Sequence, residues 1–328
     1  MQPTKLLVIG DVHICDHAPG RREDGYKQNI LDKLYECVDI AKANDVSHIL
    51  FLGDIFHLKA ANRVSHRLVQ DMATVLSAFG LPIYILVGNH DITDGTLDSL
   101  VKQPLGTLGH LPYVTLLQNE PLVLDDDICI YPVPGTSDVT IDDFEIAGSR
   151  KRDIMVVHQS IVPDISKEKE MLQDILLDAK EVANRTNIDI ILYGHQHRSD
   201  GLYRVTRDNG SPAVFSNLGS ICRLTIDDND VKKEPAVLVL GFDNDDNRTV
   251  STEVIKLTKV LSPQDAYKLD EHLEEKEHSL DIEDTIKKLK EAEVSAFSIE
   301  GVVSDVESRA DLDKDVQKVT LDLLEEVR

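Results

Sequence analysis

Up to about residue 200, this chain of 328 residues repeats one alternation: a short, almost continuously apolar run, then a longer stretch with apolar residues at helical spacing. Residues 6–9, 48–52, 83–87, 154–157 and 190–193 are the apolar runs. Strands without a polar face have to be covered on both sides, so these runs predict sheet strands sandwiched between other layers. Ile30, Leu34, Val38 and Ala41 share one face of a helix predicted over residues 26–44, and Leu68, Met72, Val75 and Leu76 do the same over 65–79. A further helix is predicted over 168–183, and more strands between 213 and 256, separated by Asp- and Asn-rich turns. Stacked βα units of this kind predict an α/β fold, a layered β-sheet core flanked by helices.

Composition sets the limits. With 41% hydrophobic and 29% charged residues, the chain can bury a sizeable core, which excludes disordered and collagen-like classes. No apolar run reaches 18 residues, so no membrane-spanning helix is expected. The N-terminal residues lack the apolar stretch of a secretory signal. Cys15, Cys37, Cys129 and Cys222 are widely spaced, as expected for reduced thiols in a cytoplasmic protein. Residues 1–200 are read as the core, 201–261 as completing strands with a small capping region, and 262–328 as a C-terminal helical appendage. The net charge is −24, and residues 262–328, with 20 acidic and 9 basic side chains, hold −11 of it. The thin apolar stripes of that segment suit a helix that docks on another protein.

The chemistry sits where the apolar runs end. They are followed by Gly10-Asp11-Val12-His13, Gly53-Asp54-Ile55-Phe56-His57, Gly88-Asn89-His90-Asp91, His158-Gln159-Ser160 and Gly194-His195-Gln196-His197. In an α/β sheet the crevice lies beyond the carboxyl ends of the strands, so clusters 186 positions apart can meet there. Taken singly, each has a plain structural explanation: an Asp after a strand commonly caps a helix, and a lone His is commonly hydrogen-bonded and half buried. Together they put six of the twelve histidines at strand ends. Carboxylate, imidazole and amide oxygen form a ligand set for Mn, Fe or Zn, and the lack of cysteine argues against a structural zinc. Asp11, His13, Asp54, Asn89, His158, His195 and His197 exceed one tetrahedral site and suit two metals about 3.5 to 4 Å apart.

The ordered set D-x-H, G-D-x-x-H, G-N-H-D, a lone His and G-H-x-H, over roughly residues 5–225, resembles the calcineurin-like metallophosphoesterases. Within them, Gly53 to His57 and the segment Ser216-Asn217-Leu218-Gly219-Ser220-Ile221-Cys222-Arg223 resemble the SbcD-type DNA repair and recombination nucleases, phage subunits included. The resemblance implies that Asp11, His13, Asp54 and His197 hold one metal, Mn²⁺ foremost, and Asp54, Asn89, His158 and His195 the other. It makes His90 the catalytic proton donor, with Asp91 orienting its ring, and sets His57, one helical turn beyond Asp54, at the rim of the scissile region. It also implies a homodimer formed through the helices at 26–44 and 65–79. An SbcC-type coiled-coil ATPase is the implied partner, docked on the acidic appendage.

A net charge of −24 opposes non-specific DNA binding. Basic residues near the motifs are therefore the candidate nucleic-acid contacts: Arg21, Arg22, Lys59, Arg63 and Arg198, with Lys27, Arg67, Arg204 and Arg207 nearby. Two other readings stay open: the same chemistry on cyclic nucleotides, nucleotides or phosphoproteins, and a non-catalytic scaffold on the same fold. The scaffold is weakest, since no motif residue is missing.

Overall fold

The computed structural model describes residues 3–150, 152–168, 176–226, 228–243 and 250–268, together with residues 306, 316 and 318–321. Its strands form two six-stranded sheets and one small pair. The first sheet takes β1 (Thr4–Ile9), β2 (His48–Phe51), β3 (Ile83–Leu86) and β4 (Val114–Leu117), all parallel. β5 (Leu122–Val123), β6 (Cys129–Val133) and β7 (Ile154–Val157) begin the second sheet; β8 (Ile161–Val162) and β9 (Leu177–Asp178) make the small pair. β10 (Ile190–Tyr193), β11 (Gly201–Thr206) and β12 (Pro212–Asn217) complete the second sheet. The chain then returns to the first through β13 (Ala236–Phe242) and β14 (Val250–Lys256). β13 runs antiparallel to β1, with Thr4 opposite Phe242 and Val8 opposite Leu238.

The five apolar runs thus belong to two sheets, three to the first and two to the second, and the period of two along each strand sorts their side chains. Leu6, Val8, Leu50, Leu52, Ile154, Val156, Ile190 and Leu192 meet in a core between the sheets. Leu7, Ile9, Ile49 and Phe51 face outward under helices α1 (Tyr26–Ala43) and α2 (His66–Phe79). Met155, Val157, Ile191 and Tyr193 face outward on the other side, against the helix Ala179–Arg185. Full burial of each such side chain contributes roughly 1.5–3 kcal/mol. This is the layered sheet core flanked by helices that the sequence pattern predicts.

α2 has clear ends. Ser65 Oγ accepts the Leu68 N–H at 3.1 Å, and Gly80 closes the helix at φ 62°. Ile30, Leu34, Val38, Leu68, Met72, Val75 and Leu76 are all buried on the first sheet, as their helical spacing predicts. Among the described residues the helix expected over 168–183 is helical only from Ala179, where Asp178 accepts the Lys180 and Glu181 N–H groups; Leu177–Asp178 form strand β9 instead, and residues 169–175 lie outside the described residues.

Two compact units divide the chain, Met1–Lys268 and Leu269–Arg328. The opening residues of the expected appendage belong to the first, because Ala266 and Tyr267 are buried there. Beyond Lys268 the appendage lies outside the described residues, apart from helical positions 306, 316 and 318–321. Among the described residues no helix is long and apolar enough to cross a membrane. All four cysteines are free and buried.

Candidate metal centre

The carboxyl ends of β1, β2 and β3 meet those of β7 and β10 at one edge of the sandwich. Backbone bonds fix the meeting: Val12 and His13 both donate their N–H to the Asp54 carbonyl, at 3.1 and 2.9 Å. Five non-glycine residues among those described have positive φ, and three are candidate ligands: His13 at 48°, Asp54 at 49° and His195 at 76°. Such conformations are unfavourable for side-chain-bearing residues and persist where the surroundings over-determine them. The glycines ahead of the motifs allow close approach. A Cβ on Gly53, itself at φ 111°, would strike the His158 ring, and one on Gly88 would strike the Asp54 carboxylate.

Asp54 lies at the centre. Its Oδ2 is 3.4 Å from His13 Nε2 and 3.3 Å from His158 Nε2, while Oδ1 accepts the His90 N–H at 2.8 Å. On one side, Asp11 Oδ2 is 3.7 Å from His197 Nε2, which faces His13 Nε2 at 2.8 Å. On the other, Asn89 Oδ1 is 3.1 Å from His158 Nε2 and 3.0 Å from His195 Nδ1. Asp11–His13–His197 and Asp54–His158–His195 are therefore candidate metal-binding clusters, and a third contains His13, His57 and His90. The donor atoms fit a cation: the Asn89 oxygen faces the ring nitrogens of His158 and His195, both acceptors once His158 has lost its proton, and turning the amide would aim the nitrogen at Asp54, His158 and His195 instead. A cation between these atoms satisfies all of them without that turn.

The electrostatics point the same way. Burial pushes Asp11 up to about 7, with Asp54 adding to it and His158 opposing. Burial works against the charged form of His158, but Asp54 outweighs it and holds the ring up at about 10. Burial likewise opposes ionisation of Asp54, yet His158 and His13 hold it well below the usual carboxylate range. Burial lowers His195 and His197 to about 4, helped respectively by His158 and Lys233, so both rings are neutral and free to ligate at pH 7. A metal-free site thus carries a proton where an ion would sit. Ion uptake at pH 7 is expected to release roughly one to two protons, from His158 and in part Asp11, so affinity should rise with pH between about 7 and 10. Titration of Mn²⁺ into weakly buffered protein with a pH indicator measures this. Uptake without proton release would contradict it.

Other expected roles change. Asp91 does not orient His90: its carboxylate accepts the N–H groups of Gly88, Ile55 and Phe56 at 3.1, 3.0 and 3.4 Å, locking the second motif to the third. The His90 ring is held by the His57 carbonyl, 2.5 Å from Nδ1. His57 is not a helical turn from Asp54, because Phe56 forms a β-bridge with Ile14; its ring stacks on His90 with centroids 5.7 Å apart. Arg22 is 3% exposed between two tyrosine rings and cannot reach a nucleic acid. Arg207 is equally buried, donating to Ala183, Thr186 and Ile188 carbonyls and pairing with Asp189 at 2.8 Å. Lys59 and Arg63 are exposed, as is Arg198, which pairs with Glu168 and Asp200 at 3.6 and 3.5 Å; Arg21 is half buried.

Sequence reasoning missed the supports. Lys233 Nζ donates to the His197 carbonyl at 3.3 Å and to Ser220 Oγ at 2.6 Å, and pairs with Asp230 at 2.8 Å. Asn217 Nδ2 donates to the Gln196 carbonyl at 3.2 Å. Ser220 and Asn217 lie in the segment 216–223 that marks the resemblance, whereas nothing in the sequence separates Lys233 from its neighbour Lys232.

A family model described as calcineurin-like phosphoesterase matches residues 4–199. A DNA double-strand break repair protein, Mre11 of Methanococcus maripaludis, is 25% identical over 246 residues, which cover 70% of this chain and 62% of that protein. The chain thus spans less than two thirds of that relative's length. A probable cyclic nucleotide phosphodiesterase of Psychrobacter arcticus is 23% identical over 227 residues, 64% of this chain and 78% of that protein. Among solved structures, a dimetal phosphatase from Danio rerio is 14% identical with a TM-score of 0.47, covering 78% of this chain and all of that one.

Proposed function

The chain belongs to the calcineurin-like phosphoesterase family, metal-dependent hydrolases of phosphoesters, and from that premise we propose that it is a two-metal DNA nuclease of repair or recombination. The observation that carries the proposal is the pair of ligand clusters joined at Asp54, with the His57 and His90 rings stacked beside them. Two divalent cations there, Mn²⁺ for this oxygen and nitrogen donor set, would neutralise phosphate oxygens and acidify a water. The chain's own residues do the rest. His90 Nδ1 must donate, since the His57 carbonyl can only accept, so Nε2 is the atom left to face the leaving alkoxide, and it hands over a proton from the imidazolium form of the ring, leaving the neutral Nδ1–H tautomer. Asp54 holds the backbone of that residue through the His90 N–H. Lys59, close enough to act electrostatically on His195, adds positive charge at the mouth. Lys59, Arg63 and Arg198 would carry the phosphate contacts, and an SbcC-type ATPase meeting the acidic segment from Ser262 would add duplex affinity.

The Mre11 relative supports DNA as substrate; the Psychrobacter relative favours a second reading, cyclic nucleotides, with the same centre. With Mn²⁺, linear duplex DNA should be degraded alongside bis-p-nitrophenyl phosphate, and an ATPase of that type with ATP should speed the duplex reaction alone. Hydrolysis of cyclic nucleotides with no action on DNA would favour the second reading.

A further inference from the structure

Arg22, removed from the surface, takes part in a connected path that ends at a candidate ligand. His13 has its N–H bound to the Asp54 carbonyl at 2.9 Å, and its own carbonyl accepts the Tyr26 hydroxyl at 2.8 Å. The backbone of His13, at φ 48°, is thus gripped from both sides, and Tyr26 is 1% exposed. The guanidinium of Arg22 lies 5.1 Å from the Tyr26 ring centroid and 4.6 Å from that of Tyr267, with Nε and Nη1 making no hydrogen bond. A desolvated guanidinium is held in such a place by the two ring faces. The backbones are joined as well: Arg22 and Tyr267 form a β-bridge, Glu23 N–H donates to the Ala266 carbonyl at 3.1 Å, and Lys268 N–H to the Arg21 carbonyl at 2.9 Å.

We infer that Tyr26 is a positioning residue for His13, and that the Tyr267–Arg22–Tyr26 stack makes occupancy of one metal position depend on how firmly the segment ending at Lys268 is fastened. The inference rests on the two-metal reading of the centre. It makes this segment the place where a partner pulling on the chain beyond Lys268 would weaken one ion and spare the other. Partners that orient a ligand without touching the ion typically change affinity by roughly 10- to 100-fold.

The test is calorimetric titration of Mn²⁺ into metal-stripped full-length protein, with the thermal midpoint of the metal-free form measured in parallel. Tyr26→Phe, which keeps the ring under Arg22, should weaken one of two ions roughly 10- to 100-fold. That ion should be the one also lost in His197→Ala, and the metal-free midpoint should hold. Tyr267→Leu should weaken the same ion, while Tyr267→Phe, which keeps the ring face, should not. An unchanged isotherm in Tyr26→Phe, or equal weakening of both ions, would overturn the positioning role. Loss in Tyr26→Phe but not in Tyr267→Leu would overturn the link to the segment. A wild-type protein that takes up fewer than two ions overturns the two-metal reading, and this inference with it.

Discussion

Asn in place of Asp54 is expected to abolish hydrolysis and to reduce bound metal from two ions to at most one. The substitution keeps the volume of a side chain that is 1% exposed, so the packing around it survives. It removes the one charge that faces both His13 Nε2 and His158 Nε2, and it presents a donor or a neutral oxygen where each cluster needs an anion. His158→Ala should behave differently. That ring touches only the second cluster, so the Asp11–His13–His197 cluster should retain an ion. Elemental analysis after gel filtration, with near-ultraviolet circular dichroism as a check on folding, distinguishes the two. Two ions retained in Asp54→Asn would contradict the proposal that Asp54 serves both ions.

His90→Asn should leave both ions bound and lower turnover by roughly 10²- to 10⁴-fold, the loss expected when a proton donor is removed. The main-chain N–H of residue 90 still reaches Asp54 Oδ1, so the centre keeps its shape while the imidazole proton is gone. The deficit should be largest for poor leaving groups such as the deoxyribose alkoxide, and small for p-nitrophenolate, which departs without help. An equal loss on both substrates would mean that His90 acts some other way.

The layered core and the candidate ligands were legible in the sequence for one reason: buried strands must be apolar on both faces, so the first polar residues after them stand out. Asp11, Asp54, Asn89 and His158 each follow such a run directly or after one glycine. The division into two sheets was not legible, because a parallel strand reads alike in either sheet and no run names its neighbour. Asp91 misled for a related reason: adjacency to His90 suggested a side-chain partner, but its carboxylate turns inward to three amides of two loops. Arg22 and Arg207 read as solvent-facing cations since burial of a guanidinium depends on which aromatic rings or carbonyls surround it, and those come from residues far away in sequence.

The antiparallel pairing of β1 with β13 bears on how the protein is made. β1 leaves the ribosome long before one of its two neighbours, which arrives some 230 positions later. Until then one side of β1 presents unpaired backbone groups next to a strongly apolar strand, the template on which chains aggregate. A product cut short before Ala236 would carry every candidate ligand and still expose that edge. Slow synthesis, or a stalled ribosome in this stretch, would therefore be a hazard to solubility before it was a loss of catalysis, and such a nascent chain is a natural client for a chaperone.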